Sequence, residues 1–235
     1  MAFTAPNIPA ILKKRYKRFL VDCTLESGEE ITATCPNTGA LLGCCDPGSK
    51  IWLSKSDSLT RKYAYTWEMV ERADAGLIGI NTARPNGIVE AAIAGSQVPA
   101  LLGYPSIRRE VKYSVNSRID LLLESPDHPP CYVEVKNVSF IRKPGLAEFP
   151  DCRTERGLKH LHELAGMKRQ GCRAVMVYLV QCASPTRFTF ATDLDPDYVK
   201  AYLVARDAGV EAVALKCKMA ASEIEIFGEI PIVEP

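Results

Sequence analysis

The sequence predicts a small all-β barrel followed by a larger α/β domain. Three observations carry this. From residue 19 to residue 72 the chain offers short β-forming runs broken by turn residues, with no helical period. Beyond Asn81, stretches with apolar residues at helical spacing alternate with long apolar runs. Two of those runs, residues 117–123 and 131–137, are nearly all apolar apart from a few charges, as strands covered on both faces should be.

Taken in order, residues 1–12 read as a tail, because Pro6 and Pro9 exclude a regular helix. The burst Lys13-Lys14-Arg15-Tyr16-Lys17-Arg18 leads into a strand at Phe19-Leu20-Val21. Residues 30–34, 50–54 and 63–72 are further strands, with turns at Pro36-Asn37-Thr38-Gly39 and Asp46-Pro47-Gly48. About five short strands within residues 13–80 predict an OB-fold. Residues 81–235 form the second domain. Asn86 can cap a helix running to Gly95, and a strand follows at 106–113. The strands at 117–123 and 131–137 flank a Ser-Pro-Asp-His-Pro-Pro loop. Residues 142–151 read as a charged, proline-containing loop. Thr154 caps a helix whose apolar face is Leu158, Leu161, Leu164 and Ala165 and whose stop is Gly171. Strands at 173–181 and 188–190, a helix from Pro196 to about Ala208, and strands at 210–218 and 224–230 complete the chain.

The composition, 47% hydrophobic and 24% charged, can support a substantial core. The net charge of +1 excludes a strong global pull on polyanions, so binding to nucleic acid must use local basic clusters. No apolar run approaches the roughly 18 residues that span a bilayer, and the first residues lack the pattern of a secretory signal. A soluble, cytoplasmic protein is expected. The nine cysteines include no Cys-x-x-Cys pair and read as reduced core thiols.

The chemistry concentrates in the two charged strands. Side chains alternate faces along a strand, so Glu134 and Lys136 project together, as do Arg118 and Asp120. Lone buried charges are costly, so a buried Asp, Glu and Lys either pair with one another or hold a metal. Asp120 and Glu134 can share a hard divalent cation, Mg²⁺ or Mn²⁺, with the carbonyl of Val135 as a further oxygen ligand. Lys136 can orient or help deprotonate the attacking water, or neutralise a phosphate under attack. On spacing alone, a buried ion-pair network without metal competes with this reading.

The pattern resembles the PD-(D/E)xK nuclease superfamily. Glu134-Val135-Lys136 fits its motif fully and Ile119-Asp120 fits loosely. That resemblance adds Glu90, on the preceding helix, as a third metal ligand. It also points Glu155, Lys159 and His160, on the helix capped by Thr154, toward the site as supporting polar groups. A narrower resemblance rests on motifs in unbroken order: Arg15-Tyr16-x-Arg18-Phe19, Cys35-Pro36-Asn37-Thr38-Gly39, Tyr65-Thr66-Trp67-Glu68, Gly79-x-Asn81-Thr82, Ile107-Arg108-Arg109-Glu110-Val111, Ser117-Arg118-Ile119-Asp120, Tyr132-Val133-Glu134-Val135-Lys136-Asn137-Val138, and Phe149-Pro150-Asp151-x-x-Thr154-Glu155-Arg156-Gly157. These are similar to the sugar fermentation stimulation protein A family. The resemblance implies an N-terminal OB domain, a C-terminal nuclease-like domain, DNA binding without sequence preference, and a link to maltose metabolism.

DNA then has its candidate contacts in Lys13, Lys14, Arg15, Tyr16, Lys17, Arg18, Arg61, Lys62, Arg108, Arg109 and Arg118; the cations among them would make affinity fall with salt, and Tyr16 could stack on a base. Two classes of function stay open. The site is a metal-dependent phosphodiesterase, or the nuclease fold is only a scaffold for a DNA-binding regulator.

Overall fold

The computed structural model describes residues 1–3, 5–114 and 117–235. The architecture is the one expected, a five-stranded OB-type barrel followed by an α/β domain. The barrel is built from β1 (Ile8–Tyr16), β2 (Leu20–Leu25), β3 (Glu30–Thr34), β4 (Lys50–Lys55) and β5 (Tyr65–Arg72). The order β3-β2-β1-β4-β5 closes through a parallel contact between Thr34 and Thr66. Alternation decides its interior: Ala10, Leu12, Val21, Cys23, Ile51, Leu53 and Trp67 point inward and are buried. A short β6 (Gly76–Gly79) extends the sheet from β5.

The second domain begins with α1 (Pro85–Ala94), β7 (Ser106–Ser114), β8 (Ser117–Glu124) and β9 (Cys131–Val138). Then come β10 (Phe140–Lys143), β11 (Leu146–Phe149), α2 (Glu155–Arg169), β12 (Arg173–Val180) and β13 (Arg187–Phe190). The chain finishes with α3 (Pro196–Asp207), β14 (Glu211–Met219) and β15 (Ile224–Ile230). The six-stranded sheet runs β15-β14-β12-β9-β8-β7, with β9, β12 and β14 parallel at its centre. Successive residues of β12 serve opposite faces, so Val175, Val177 and Leu179 pack with Ile88, Val89 and Ala92 of α1. Met176, Tyr178 and Val180 pack with Leu161 and Leu164 of α2 and Tyr198 of α3. This second core is continuous with the barrel interior.

Four expectations are corrected. Residues 8–12 are not tail but the start of β1; Pro9 is tolerated near that strand's beginning, and the alternating Ala10 and Leu12 fill the barrel. The basic burst therefore lies in β1 and its turn rather than ahead of the first strand. Residues 140–149 form a hairpin, β10 and β11, whose second strand pairs in parallel with β13. Asn86 does not cap α1: Arg84 takes the N-cap position and Pro85 the first turn, which frees the Asn86 side chain. The strands β6, β10 and β11 were too short to leave a readable period.

The junction between barrel and α/β domain is built from motif residues. Gly79 donates its N–H to the Gln181 carbonyl at 2.8 Å, and an added Cβ would lie 2.6 Å from the Gln181 side chain, so glycine is what lets the two sheets approach. The Asp151 carboxylate accepts the N–H of Leu41 at 2.8 Å. Glu68 is 1% exposed and takes donors from Ser54 (2.6 Å), Asn81 (2.8 Å) and the Arg84 guanidinium (2.9 and 2.5 Å). That pairing holds Arg84 firmly protonated and docks the start of α1 on the barrel wall.

Glu68→Ala strands a half-buried guanidinium and two other donors, the Ser54 hydroxyl and the Asn81 amide. Its expected cost is about 3 kcal/mol, the low end for breaking a buried ion pair because Arg84 keeps some solvent. Urea unfolding checks it, and a loss below about 1 kcal/mol would reduce Glu68 to an ordinary surface pair.

Candidate active site where two strands part

Strands β8 and β9 pair antiparallel through Leu123↔Cys131, Leu122↔Tyr132 and Leu121↔Val133, and there the ladder ends. Continued one step, the register would set Asp120 opposite Glu134. Instead the strands separate, and the Val135 N–H donates to Asp120 Oδ2 at 2.8 Å. The side-chain amide of Asn86, freed from capping, donates to Asp120 Oδ1 at 2.9 Å. A side chain thus takes over from the backbone acceptor lost where the strands divide.

Glu134 is 2% exposed. Its Oε1 receives Lys136 Nζ at 2.7 Å and His160 Nδ1 in a close contact, while Lys136 Nζ lies 3.3 Å from the same ring nitrogen. Arg156 Nε donates to His160 Nε2 at 3.4 Å, which assigns the ring proton to Nδ1 and makes that nitrogen the donor to Glu134. Glu134 Oε2 is buried with no partner. An orphaned carboxylate oxygen costs more than an unmet neutral acceptor, and it is the atom a hard cation would satisfy. Among the described residues no group of three or more His, Cys, Asp or Glu side chains forms a ready cage. A Mg²⁺-like ion that keeps several waters can make do with two carboxylates and a carbonyl. The residues therefore fit such a cation.

Helix α2 owes its position to its cap. Thr154 Oγ1 accepts the Gly157 N–H at 3.0 Å, and Asp195, which caps α3 by accepting from Tyr198, also accepts the Thr154 N–H at 2.8 Å. A Cβ on Gly157 would lie 3.0 Å from the Tyr198 ring and closer still to Thr154, so the glycine lets α2 sit low enough for His160 to reach Glu134.

The two carboxylates are electrostatically unlike. Burial raises the carboxyl pKa of Asp120, with the charge of Glu134 adding to it, against the lowering by Val135 N–H and Asn86. Burial also pushes Glu134 upward, but Lys136 and His160 outweigh it and hold Glu134 below the ordinary range.

The other expected residues are distributed as follows. Lys136 and His160 converge on Glu134. Glu155, Lys159 and Arg118 line a trench beside His160, together with Glu110, Lys112 and Arg156. Lys159 also pairs with Glu163 at 3.7 Å. Glu90 lies one helical turn beyond Asn86 but pairs with Arg109, so the side chain of α1 that reaches Asp120 is Asn86. Arg109 is thereby engaged, and Arg108 bonds Glu124. Arg15 is spent on the carbonyls of Arg18, Asn37, Gly39 and Ala40, folding the Pro36–Gly39 turn against β1. Lys13 pairs with Glu30 and Tyr16 donates to Asp22 at 3.0 Å, whereas Lys14, Lys17 and Arg18 are exposed. Arg61 reaches Thr66 at 3.3 Å and Lys62 lies over the ring of Tyr63. Sequence reasoning missed Asn86 as an anchor of Asp120 and Arg156 as a partner of His160; Pro85, a marker of a helix's first turn, was the available signal for the first.

In metal-free protein the pH dependence of stability separates the two acids. Glu134, with a depressed pKa, contributes stability above its unfolded pKa and loses it as the pH falls through the folded value. Glu134→Gln should therefore cost about 3 kcal/mol at neutral pH and progressively less in acid. Asp120, with a raised pKa, favours the fold in its protonated form, and this contribution is lost as the pH rises through the folded value. Asp120→Asn should accordingly stabilise at neutral pH and change little below about pH 4. Urea unfolding across that range tests both, and a destabilising Asp120→Asn at neutral pH would reverse the assignment.

A family model described as the sugar fermentation stimulation protein RE domain matches residues 83–223, and one described as the SfsA N-terminal OB domain matches residues 14–80. A sugar fermentation stimulation protein homolog of Azorhizobium caulinodans is 55% identical over 99% of this chain and 99% of its own. One of Agrobacterium fabrum is 52% identical over 100% of this chain and 98% of its own. Among solved structures, that of Pyrococcus furiosus SfsA in complex with Ca²⁺ is similar with a TM-score of 0.90 at 28% identity, covering 99% of this chain and 98% of that one.

Proposed function

The chain belongs to the sugar fermentation stimulation protein family, and on that premise we propose that it binds DNA without sequence preference and hydrolyses its phosphodiester bonds with a divalent cation, Mg²⁺ or Mn²⁺. The observation that carries this reading is the buried, unpartnered Glu134 Oε2 beside Asp120, with Lys136 on the same face of β9. The Pyrococcus furiosus relative, solved with Ca²⁺, supports divalent binding in this fold.

Asp120, Glu134 and the Val135 carbonyl would hold the ion. When bound, such a cation polarises the phosphate and lowers the pKa of water beside it. The chain's own residues do the rest. Val135 N–H and Asn86 fix the Asp120 carboxylate, and His160, itself held by Arg156, fixes Glu134 Oε1. Lys136 places its ammonium at the rim of the site, where it can orient water or offset charge developing on a phosphate. Lys112, Arg118, Arg156 and Lys159 give the trench its phosphate-binding charge, and exposed Lys14, Lys17 and Arg18 extend the basic surface on the barrel. The second reading, a DNA-binding regulator whose site is scaffold, draws support from the direct Lys136–Glu134 pair, which neutralises the acid without any metal. Cytoplasmic action and a role in maltose metabolism belong to the same proposal and rest on the family alone.

Incubation of labelled single- and double-stranded DNA with Mg²⁺ or Mn²⁺ decides between the readings. Cleavage should require the cation and vanish in Asp120→Ala. Lys136→Ala should cut cleavage about 100-fold or more while leaving DNA affinity within a few-fold. Affinity in both variants should still fall as salt rises. Binding without cleavage under either metal favours the regulator.

A further inference from the structure

Two cavities flank the Asp120–Glu134 pair, and their linings have opposite chemistry. The trench, about 890 Å³, carries Lys112, Arg118, Arg156 and Lys159 against Glu110 and Glu155. The second cavity, about 210 Å³, lies at the domain junction between the Pro36–Gly39 turn, the start of α1, the end of β9 and β11. Its lining includes Glu148 and Asp151 and no lysine or arginine. Glu148 is neutralised by Arg142 at 2.8 and 2.5 Å, which leaves Asp151 as the uncompensated charge.

This junction cavity adjoins the site directly. Asn86 and Val135, the two residues that hold Asp120, form part of its wall. Its polar groups keep hydrogen-bonding capacity. Asn86 uses its amide N–H on Asp120, Asn137 its Oδ1 on Gln181, and Asp151 accepts from the Leu41 N–H and the Cys152 thiol, which leaves each with further sites. Phe149 supplies an apolar wall. A negative lining repels phosphate, and a volume below the usual ~300 Å³ of drug-sized sites leaves room for one ring system. A neutral ring bearing N–H or O–H donors meets all of these conditions.

We infer that the junction cavity is a nucleobase subsite, taking the base next to the phosphate addressed by Asp120, Glu134 and Lys136. The trench takes the flanking phosphates. Carboxylate and amide oxygens at the wall can accept an N–H from any of the four bases, in keeping with binding that has no sequence preference. The assignment deepens the phosphodiester reading and rests on it. It also gives the Pro36-Asn37-Thr38-Gly39 and Phe149-Pro150-Asp151 motifs a shared purpose, because Asn37, Phe149 and Asp151 all line one cavity.

The test compares a labelled oligo-deoxyadenylate with an abasic oligomer of equal length and phosphate count, bound to the full chain in chelator. Wild type should bind the abasic strand at least tenfold more weakly. Ser139→Leu, which narrows the cavity, and Asn137→Ala, which removes a wall amide, should both erase that difference while retaining cooperative thermal unfolding. Equal affinity for the two strands overturns the subsite. So does discrimination that survives in both variants, which would put the bases elsewhere, or displacement of the strand by maltose, which would make the cavity a sugar site. Cleavage of the same oligonucleotide with Mn²⁺ is scored separately, so the subsite can fail while the phosphodiester reading stands, and the reverse.

Discussion

The site exists because two paired strands separate one residue before the pairing would bring two carboxylates face to face. Leu121 and Val133 make the last pair of the ladder, and Asp120 then accepts the N–H of Val135 that a continuing ladder would have used. The separation turns a repulsive cross-strand acid pair into two acids with different duties. Asp120 is tied to backbone and amide donors. Glu134 is tied to a cation and an imidazole, with its second oxygen left over. The surrounding structure either holds that separation in place or fills the volume it opens. The Asp195 cap and Gly157 bring α2 down with His160, and Tyr198 of α3 packs in the core with Met176 and Tyr178 of β12, its hydroxyl 2.8 Å from that of Tyr178.

The barrel also takes part in building the site. Glu68, on its outer wall, grips Arg84, and Arg84 opens the helix whose second residue, Asn86, steadies Asp120. A buried carboxylate in one domain thereby positions a carboxylate in the other through one turn of helix. The cost of burying Glu68 is offset by four donors, which is the condition under which buried charge survives. Arg15 plays a comparable part at the opposite side of the junction, where its guanidinium collects carbonyls that the Pro36–Gly39 turn leaves unpaired.

Much of this was legible in the sequence, and the remainder failed for identifiable reasons. The alternation in residues 131–138 placed Glu134 and Lys136 on one face, and long apolar runs marked β8, β9 and β12 as central strands. Thr154 announced the start of α2 through ordinary cap chemistry. Strands of four residues, β10 and β11, lay below the length at which a period of two can be counted, so their charges made them read as loop. The basic burst misled because charge marks only what can face solvent; it does not reveal that Arg15 would be consumed by carbonyls and Lys13 by Glu30. Asn86 misled in the other direction. Its propensity for caps is real, but Pro85 already fixed the first turn, and the amide found a carboxylate across the sheet.

The close approach at Gly79 carries a consequence for how such proteins can be recombined. The barrel and the α/β domain do not meet as two finished surfaces. Barrel residues and sheet residues belong to one packed interior, and the contact at Gly79 leaves no room for even a methyl group. A barrel transplanted from a distant relative would have to bring its own equivalents of Gly79, Glu68 and the Leu41 amide, each matched to a partner it had never met. The two halves are thus a single unit of inheritance. Substitutions on one side of the seam are free to drift only in step with the other, and the separability of the two family models along the chain does not extend to the folded molecule.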